Sequence, residues 1–242
     1  MKNFIIKVKN HILNILLPKT CHHCGRDLGA DTVLPLCEDC LKRIKTPGPL
    51  ICRRCGITLP SGGATCHNCR GVKEKKYKCS IIRSGFVFTP EVKSIIHNFK
   101  YNEHTYLGKF LTAAILLTFD ETKEFENVDI IVPVPLHKLK QRIRGYNQSA
   151  LIAARLAKNK NIIYDEKLLK RVKFTKSQAK LGRKDREKNT LEAFACTREV
   201  KGKIVLVIDD VATTGFTLEQ CAIALKKAGA KKVYALTAAR EE

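Results

Sequence analysis

From residue 80 onward the apolar positions alternate between two rhythms. Ser80–Phe88, Val128–Val134, Ile204–Ile208 and Lys232–Thr237 are short runs that read as strands. Val128–Val134 and Ile204–Ile208 are mostly apolar, as suits strands buried on both faces. Pro90–Phe99, Tyr106–Phe119, Tyr146–Lys158 and Leu218–Ala228 read as helices. In the last, Leu218, Cys221, Ala222, Leu225 and Ala228 form one apolar face, and Gly229 stops the helix. Strands alternating with helices predict an α/β domain built around a parallel sheet. Upstream, Phe4, Ile5, Val8, Ile12, Ile15 and Leu16 share one face of an amphipathic helix. Residues 20–79 hold too few large apolar side chains for a core. The expected division is a helix at 1–18, a cysteine-rich module at 19–79 and the α/β domain at 80–242.

Cysteine supplies what the middle segment lacks. Eight of the 11 cysteines form four pairs of one form: Cys21-x-x-Cys24, Cys37-x-x-Cys40, Cys52-x-x-Cys55 and Cys66-x-x-Cys69. The even spacing predicts an internal duplication. A two-residue spacer brings two thiolates onto one ion, and four thiolates suit Zn²⁺. A disulfide framework needs an oxidising compartment. The N-terminus has no small-x-small cleavage site, so the expected location is the cytoplasm. Iron–sulfur ligation also uses cysteine, but strict pairing in twos favours two zinc ribbons. The natural grouping is Cys21, Cys24, Cys37 and Cys40 for one ion, and Cys52, Cys55, Cys66 and Cys69 for the other; a crossed grouping satisfies the same spacing. Four thiolates close each site, so the ions are structural, with His22, His23 and His67 as spacers. Cys221 reads as a small core residue.

The formal charge is +22, from 45 basic and 23 acidic side chains. It gathers in two zones: residues 1–80 carry 15 basic and 5 acidic groups, and residues 136–190 carry 17 and 4. Such a balance points to nucleic acid, an anionic membrane or phosphorylated ligands, with two solvated faces as the plain alternative. Phe110–Phe119, the longest charge-free helical stretch, is far short of the roughly 20 residues that span a bilayer. No stable membrane insertion is expected. The N-terminal helix is expected to dock on the body of the protein, with transient membrane contact as its second use.

The sharpest chemistry lies in Val205-Leu-Val-Ile-Asp-Asp-Val-Ala-Thr-Thr-Gly-Phe-Thr217. An apolar strand ends in Asp209 and Asp210, a Thr/Gly loop follows, and Thr217-x-x-Gln220 has the form of a capping box at a helix start. A loop entering a helix N-terminus collects N–H donors and the positive end of the dipole, which together cradle an anion. Thr213, Thr214 and Thr217 add hydroxyls, and Gly215 lets the backbone close on a phosphate. The paired carboxylates accept hydrogen bonds from a diol. Diol and phosphate a sugar's width apart spell ribose 5-phosphate. The plain alternative is a helix cap beside two surface acids. The sequence has no Gly-x-Gly-x-x-Gly fingerprint and no nucleoside-triphosphatase loop.

This run resembles the phosphoribosyl pyrophosphate (PRPP) motif of the type I phosphoribosyltransferases. Ile131-Val-Pro-Val-Pro-Leu-His137, Arg142-x-Arg144-Gly-Tyr-Asn-Gln148 and Lys176-x-Gln178-x6-Asp185-Arg186-x2-Asn189 resemble the ComF family of competence-associated proteins, as does the paired four-cysteine module. The resemblance implies a type I phosphoribosyltransferase fold. Asp209 and Asp210 would hold the ribose hydroxyls, with Mg²⁺ bridging hydroxyl and pyrophosphate oxygens. Ala212, Thr213, Thr214, Gly215, Phe216 and Thr217 would hold the 5-phosphate. Pro135, Leu136 and His137 would meet pyrophosphate, with Arg142, Arg144, Arg183 and Arg186 near the polyanion. Lys173–Asn189 would be a flap over the site. Thr213 departs from relatives in the wider superfamily that carry an acid there, so any base comes from elsewhere. Two functions follow. One is transfer of ribosyl 5-phosphate with pyrophosphate release, linked to DNA uptake. The other is a non-catalytic single-stranded-DNA-binding factor that uses PRPP for sensing or structure. The basic ribbon, with Arg53, Arg54, Arg70, Lys73, Lys75 and Lys76, would touch DNA or proteins of the competence machinery.

Overall fold

A computed structural model describes residues 19–29, 32–71, 77–101, 104–172 and 193–242. The expected N-terminal helix, the expected flap with Arg183 and Arg186, and Lys73, Lys75 and Lys76 lie outside the described residues. Five parallel strands form the central sheet: β1 (Ile81–Val87), β2 (Ile130–Pro133), β3 (Ile163–Tyr164), β6 (Ile204–Ala212) and β7 (Lys232–Arg240). Their spatial order is β1-β7-β6-β2-β3. β4 (Leu169–Arg171) and β5 (Phe194–Cys196) form a separate antiparallel pair. The helices are α1 (Glu38–Lys42), α2 (Pro90–Tyr101), α3 (Leu107–Glu121), α4 (Lys138–Arg144), α5 (Gln148–Lys160) and α6 (Phe216–Lys227). Among the described residues no helix is long and apolar enough to cross a membrane.

Side chains of the central strands alternate between two helix layers, which is why these runs are apolar throughout. Leu206, Ile208, Tyr234 and Leu236 join Val92, Ile95, Phe99, Leu111, Ile115, Ile152 and Leu156 from α2, α3 and α5. Val205, Val207, Val233 and Ala235 join Leu218, Cys221 and Leu225 of α6 and Leu169 and Phe194 of the β4–β5 pair. Cys221 is fully buried there, as its place on the apolar face predicts.

Two expectations need correction. β6 does not end at Ile208. It stays paired with β7 through Asp209↔Thr237 and Ala212↔Arg240, because ladder bonds use backbone groups and tolerate polar side chains at the sheet's end. The capping box does not form either. Gly215, at φ 76°, is the N-cap and α6 starts at Phe216, which leaves Thr217 inside the first turn. Thr214 Oγ1 instead accepts from the Phe216 N–H at 3.3 Å. The positive φ, which suits glycine, turns the chain into the helix earlier than the side-chain pattern implies.

The duplication in the cysteine module is visible in its backbone. Antiparallel bridges join Thr20 to Asp27 and Ile51 to Thr58. The Cys21 N–H donates to Arg26 O and the Cys52 N–H to Ile57 O, both at 2.8 Å. The halves attach differently. Cys21, Leu36, Cys37 and Cys40 belong to the same buried cluster as α2 and α3. Cys52, Cys55, Leu59 and Cys69 form a small cluster of their own. The Gly56 backbone lies so close to β1 that a Cβ would fall 2.5 Å from Ile82 O.

Candidate metal centres and anion cleft

Cys21, Cys24, Cys37 and Cys40 place their sulfurs within 4.8 Å of one another, and so do Cys52, Cys55, Cys66 and Cys69. The grouping is therefore sequential, not crossed. Cys24 Sγ and Cys37 Sγ are 3.6 Å apart, as are Cys55 Sγ and Cys66 Sγ. Tetrahedral zinc with bonds of about 2.3 Å needs sulfurs about 3.8 Å apart, so both donor sets fit the ion. Burial opposes the Cys21 thiolate, yet hydrogen bonds from the backbones of Cys24, Cys37 and His23 hold its pKa at about 6. Cys52 is held at about 6 in the same way by Cys55, Cys66 and Arg54. His23 bonds Ser94 Oγ at 2.9 Å, and neither His22 nor His67 belongs to a cluster, so the histidines act as spacers.

Each ribbon is tied to a helix of the α/β domain by one arginine. Arg43 donates from Nη2 to Cys40 Sγ (3.0 Å) and from Nε to Glu91 Oε1 (2.6 Å) in the first turn of α2. Arg54 donates from Nη1 to Cys69 Sγ (3.6 Å) and from Nη2 to Glu219 Oε2 (3.2 Å) in the first turn of α6. Glu219 also accepts from the backbone N–H groups of Lys78 and Cys79.

At the carboxyl end of β2 and β6 lies a cleft of about 430 Å³. Its lining contains Asp209, Asp210, Ala212, Thr213, Gly215, Phe216, Thr217, Pro135 and Leu136 from the predicted set. Thr214 faces a neighbouring cavity of about 440 Å³ beside the second ribbon. His137, Arg142 and Arg144 do not line the cleft. His137 caps α4, its Nδ1 accepting from the Leu139 N–H at 3.3 Å. Arg142 is exposed, and Arg144 lies over the Tyr101 ring at 4.9 Å. Arg186 is outside the described residues.

The carboxylates are held differently. Asp209 Oδ1 accepts from Ser149 Oγ at 2.8 Å and from the Asp210 N–H at 2.9 Å. Burial, then the neighbouring Asp210 charge, pushes the Asp209 carboxyl up to about 7, against the pull of Ser149 and Lys100. Asp210 Oδ2 lies 2.6 Å from Lys100 Nζ. Burial works against the Lys100 charge, but Asp210 outweighs it and holds the ammonium above its ordinary range. The Pro135–Leu136 turn is pinned at Val134, whose N–H donates to Ile208 O and whose carbonyl accepts from Asn147 Nδ2. Asn147 also caps α5 through Ser149. Part of the Arg142–Gln148 motif thus positions the turn and Asp209.

Lys100, Lys140, Arg171 and Ser149 complete the site, and none of them belongs to the predicted set. Lys100 carries a signal in the sequence: Val92, Ile96 and Lys100 follow at i+4 spacing, which puts a lysine on a buried stripe. Arg171 sits in a three-residue strand too short to show a period.

These features define a class, a phosphoribosyltransferase-fold domain fronted by two four-cysteine zinc ribbons. The double zinc ribbon domain family matches residues 12–70, and the phosphoribosyl transferase domain family matches residues 149–241. Competence protein F of Haemophilus influenzae is 30% identical over 219 residues, covering 88% of this chain and 93% of its own. The DNA utilization protein YhgH of Escherichia coli K12 is 26% identical over 201 residues, covering 82% and 87%. The solved glutamine PRPP amidotransferase of B. subtilis overlaps 55% of this chain and 26% of its own, at 19% identity and a TM-score of 0.38. The chain belongs to the competence protein F family.

Proposed function

We propose that this chain binds PRPP with Mg²⁺ in the cleft and transfers its ribosyl 5-phosphate to an acceptor, releasing pyrophosphate. The observation that carries this reading is the succession within one cleft of Asp209, Asp210 and the Thr213–Thr217 loop at the start of α6. The loop's N–H groups meet the 5-phosphate, and the carboxylates accept from the ribose hydroxyls. Ser149 fixes the Asp209 rotamer, and Lys100 pairs with Asp210. Acids flanked by cations in a cleft of this size suit a magnesium-bound polyanion. Mg²⁺, when bound, would offset charge on the pyrophosphate and order its oxygens. In the transfer, the bond from ribose C1 to the pyrophosphate oxygen breaks and its electron pair leaves with pyrophosphate. A lone pair on the acceptor forms the new bond to C1. Positioning and charge neutralisation supply the rate enhancement.

The basic ribbon face is the proposed meeting place with single-stranded DNA. Exposed Arg53 and Arg70 support this, as do relatives named for competence and DNA utilization. A reducing compartment, the cytoplasm, suits eight metal-binding thiols.

PRPP-dependent pyrophosphate release, measured across nucleobase, amine and nucleic-acid acceptors, tests the transfer. Release that requires one acceptor class supports it. No release above buffer with any acceptor contradicts it.

A further inference from the structure

A cavity of about 860 Å³, twice the volume of the anion cleft, opens between the two ribbons, β1 and α3. We propose that it is the dock for residues 4–17 of this chain, which enter it as an amphipathic helix and tie both ribbons to α3.

The cavity arises because the ribbon module holds only the ends of an edge strand. The Ile82 N–H donates to Arg54 O at 2.7 Å, and the Val87 N–H to Lys45 O at 2.8 Å. The stretch between them, Arg83–Phe86, lines the cavity instead. Leu34 and Leu117 also line it, and they are 48% and 66% exposed. Apolar surface gathered in a concave site marks a place where something docks.

The path of the chain brings residues 1–18 to this place. Lys19 Nζ donates to Thr32 O at 3.4 Å, and the His22 N–H donates to Pro35 O at 3.0 Å. Leu34 lies between those two contacts, so the chain enters the first ribbon beside the cavity wall. Pro18 disfavours helix in the residue before it, which lets the chain turn back onto the body.

Charge selects the same occupant. In a chain of net charge +22, Asp120–Glu126 carries four acids and one lysine. Lys160 takes Asp120, whereas Glu121 and Glu124 line the cavity. Arg83 beside them donates to the carbonyls of Ile82 and Arg53. Residues 1–18 hold Lys2, Lys7 and Lys9 and no acid. At 100° per residue, Lys7 and Lys9 flank the two edges of the face formed by Phe4, Ile5, Val8, Ile12, Ile15 and Leu16. An apolar stripe edged by lysines matches an apolar cavity edged by glutamates.

The chain has no tryptophan, so a single one reports on the full protein purified with zinc. Ile12→Trp, on the apolar face, should emit at shorter wavelength than Ile6→Trp, on the opposite face. Acrylamide should quench it at least threefold less. Adding Leu117→Asp, or Glu121→Lys with Glu124→Lys, should remove that protection at low salt. Adding Lys7→Glu with Lys9→Glu to the reversed glutamates should restore at least half of it. If Leu117→Asp fails to fold by circular dichroism, the charge-reversal set decides. Equal quenching at positions 6 and 12, or protection that ignores the cavity variants, overturns the proposal. So does protection that appears only with phosphatidylserine vesicles, or only as the protein dimerises in sedimentation.

Discussion

Arg43 Nε lies 2.6 Å from Glu91 Oε1, and through this pair the first zinc ribbon grips the start of α2. Glu91 is 4% exposed, so its carboxylate depends on that guanidinium. Burial pushes the Glu91 carboxyl up, but Arg43 and local hydrogen bonds win and hold it below the usual range. Arg43→Ala should lower Tm by several degrees at neutral pH, because a buried charge loses its partner. The lowered pKa fixes the sign. The stabilisation is present above the usual glutamate range and is lost as pH falls through the folded value, so variant and wild type should converge in acid. Thermal melts at pH 7 and pH 3 check this; equal Tm values at pH 7 would show that the pair contributes nothing.

Zinc should be present at about two ions per chain, one for each four-thiolate set. The cysteine-rich segment, read alone, predicts a module that melts by itself. Because Cys21, Cys37 and Cys40 share a cluster with Val92 and Phe99, chelation should lower the stability of the α/β domain as well. Metal binding worth on the order of 10 kcal/mol per site makes the effect large. Elemental analysis and melts with and without chelator test both points. Iron in the protein, or an α/β melting transition that chelator leaves in place, would contradict them.

Asp209 and Asp210 should respond oppositely to loss of charge. The folded Asp209 carboxyl keeps its proton up to about 7, whereas an unburied aspartate releases it near 3.8. The folded state therefore holds this proton more tightly than the unfolded chain does. Stability is lost as pH rises between those two values, at up to roughly 1.4 kcal/mol for each pH step of one. Asp209→Asn retains an oxygen for Ser149 and the Asp210 N–H, so it should raise Tm at pH 8 and match wild type below pH 4. Asp210→Asn strands Lys100 and should lower Tm at pH 8. Thermal melts across pH decide. A lower Tm for Asp209→Asn at pH 8 would refute the buried-charge account.

On the proposed DNA face, Arg53 and Arg70 are exposed, whereas Arg54 is occupied by Glu219 and Cys69. Arg53→Ala with Arg70→Ala should weaken single-stranded DNA binding and flatten the log–log salt slope by about 1.4, if each meets one phosphate. Arg54→Ala should act on stability instead. Fluorescence anisotropy from 50 to 200 mM salt reads the slope. An unchanged slope in the double variant would place the DNA surface elsewhere.

The legible parts of this protein are local in sequence. Cysteine spacing names the zinc ligands before any fold is known, although only the sulfur positions separate the sequential grouping from the crossed one. The apolar run into Asp209, with the Thr/Gly loop behind it, marks the strand and the loop that line the cleft, although the ladder itself runs on to Ala212. What stays hidden is tertiary or backbone-driven. Lys100 meets Asp210 across more than a hundred residues. Arg171 belongs to a strand of three residues, below any periodicity. The Thr217–Gln220 pattern fits a cap, but the positive φ of Gly215 starts the helix first.

The most direct test is calorimetric titration of the full chain with PRPP and Mg²⁺, wild type against Asp209→Asn. The account predicts saturable binding near one PRPP per wild-type chain. At pH 8, where the Asp209 carboxyl has released its proton, it also predicts at least a tenfold loss in the variant, since a charge-assisted hydrogen bond contributes roughly 1.5–3 kcal/mol. A wild-type chain that takes up no PRPP, or a folded variant that binds it as tightly, would contradict it.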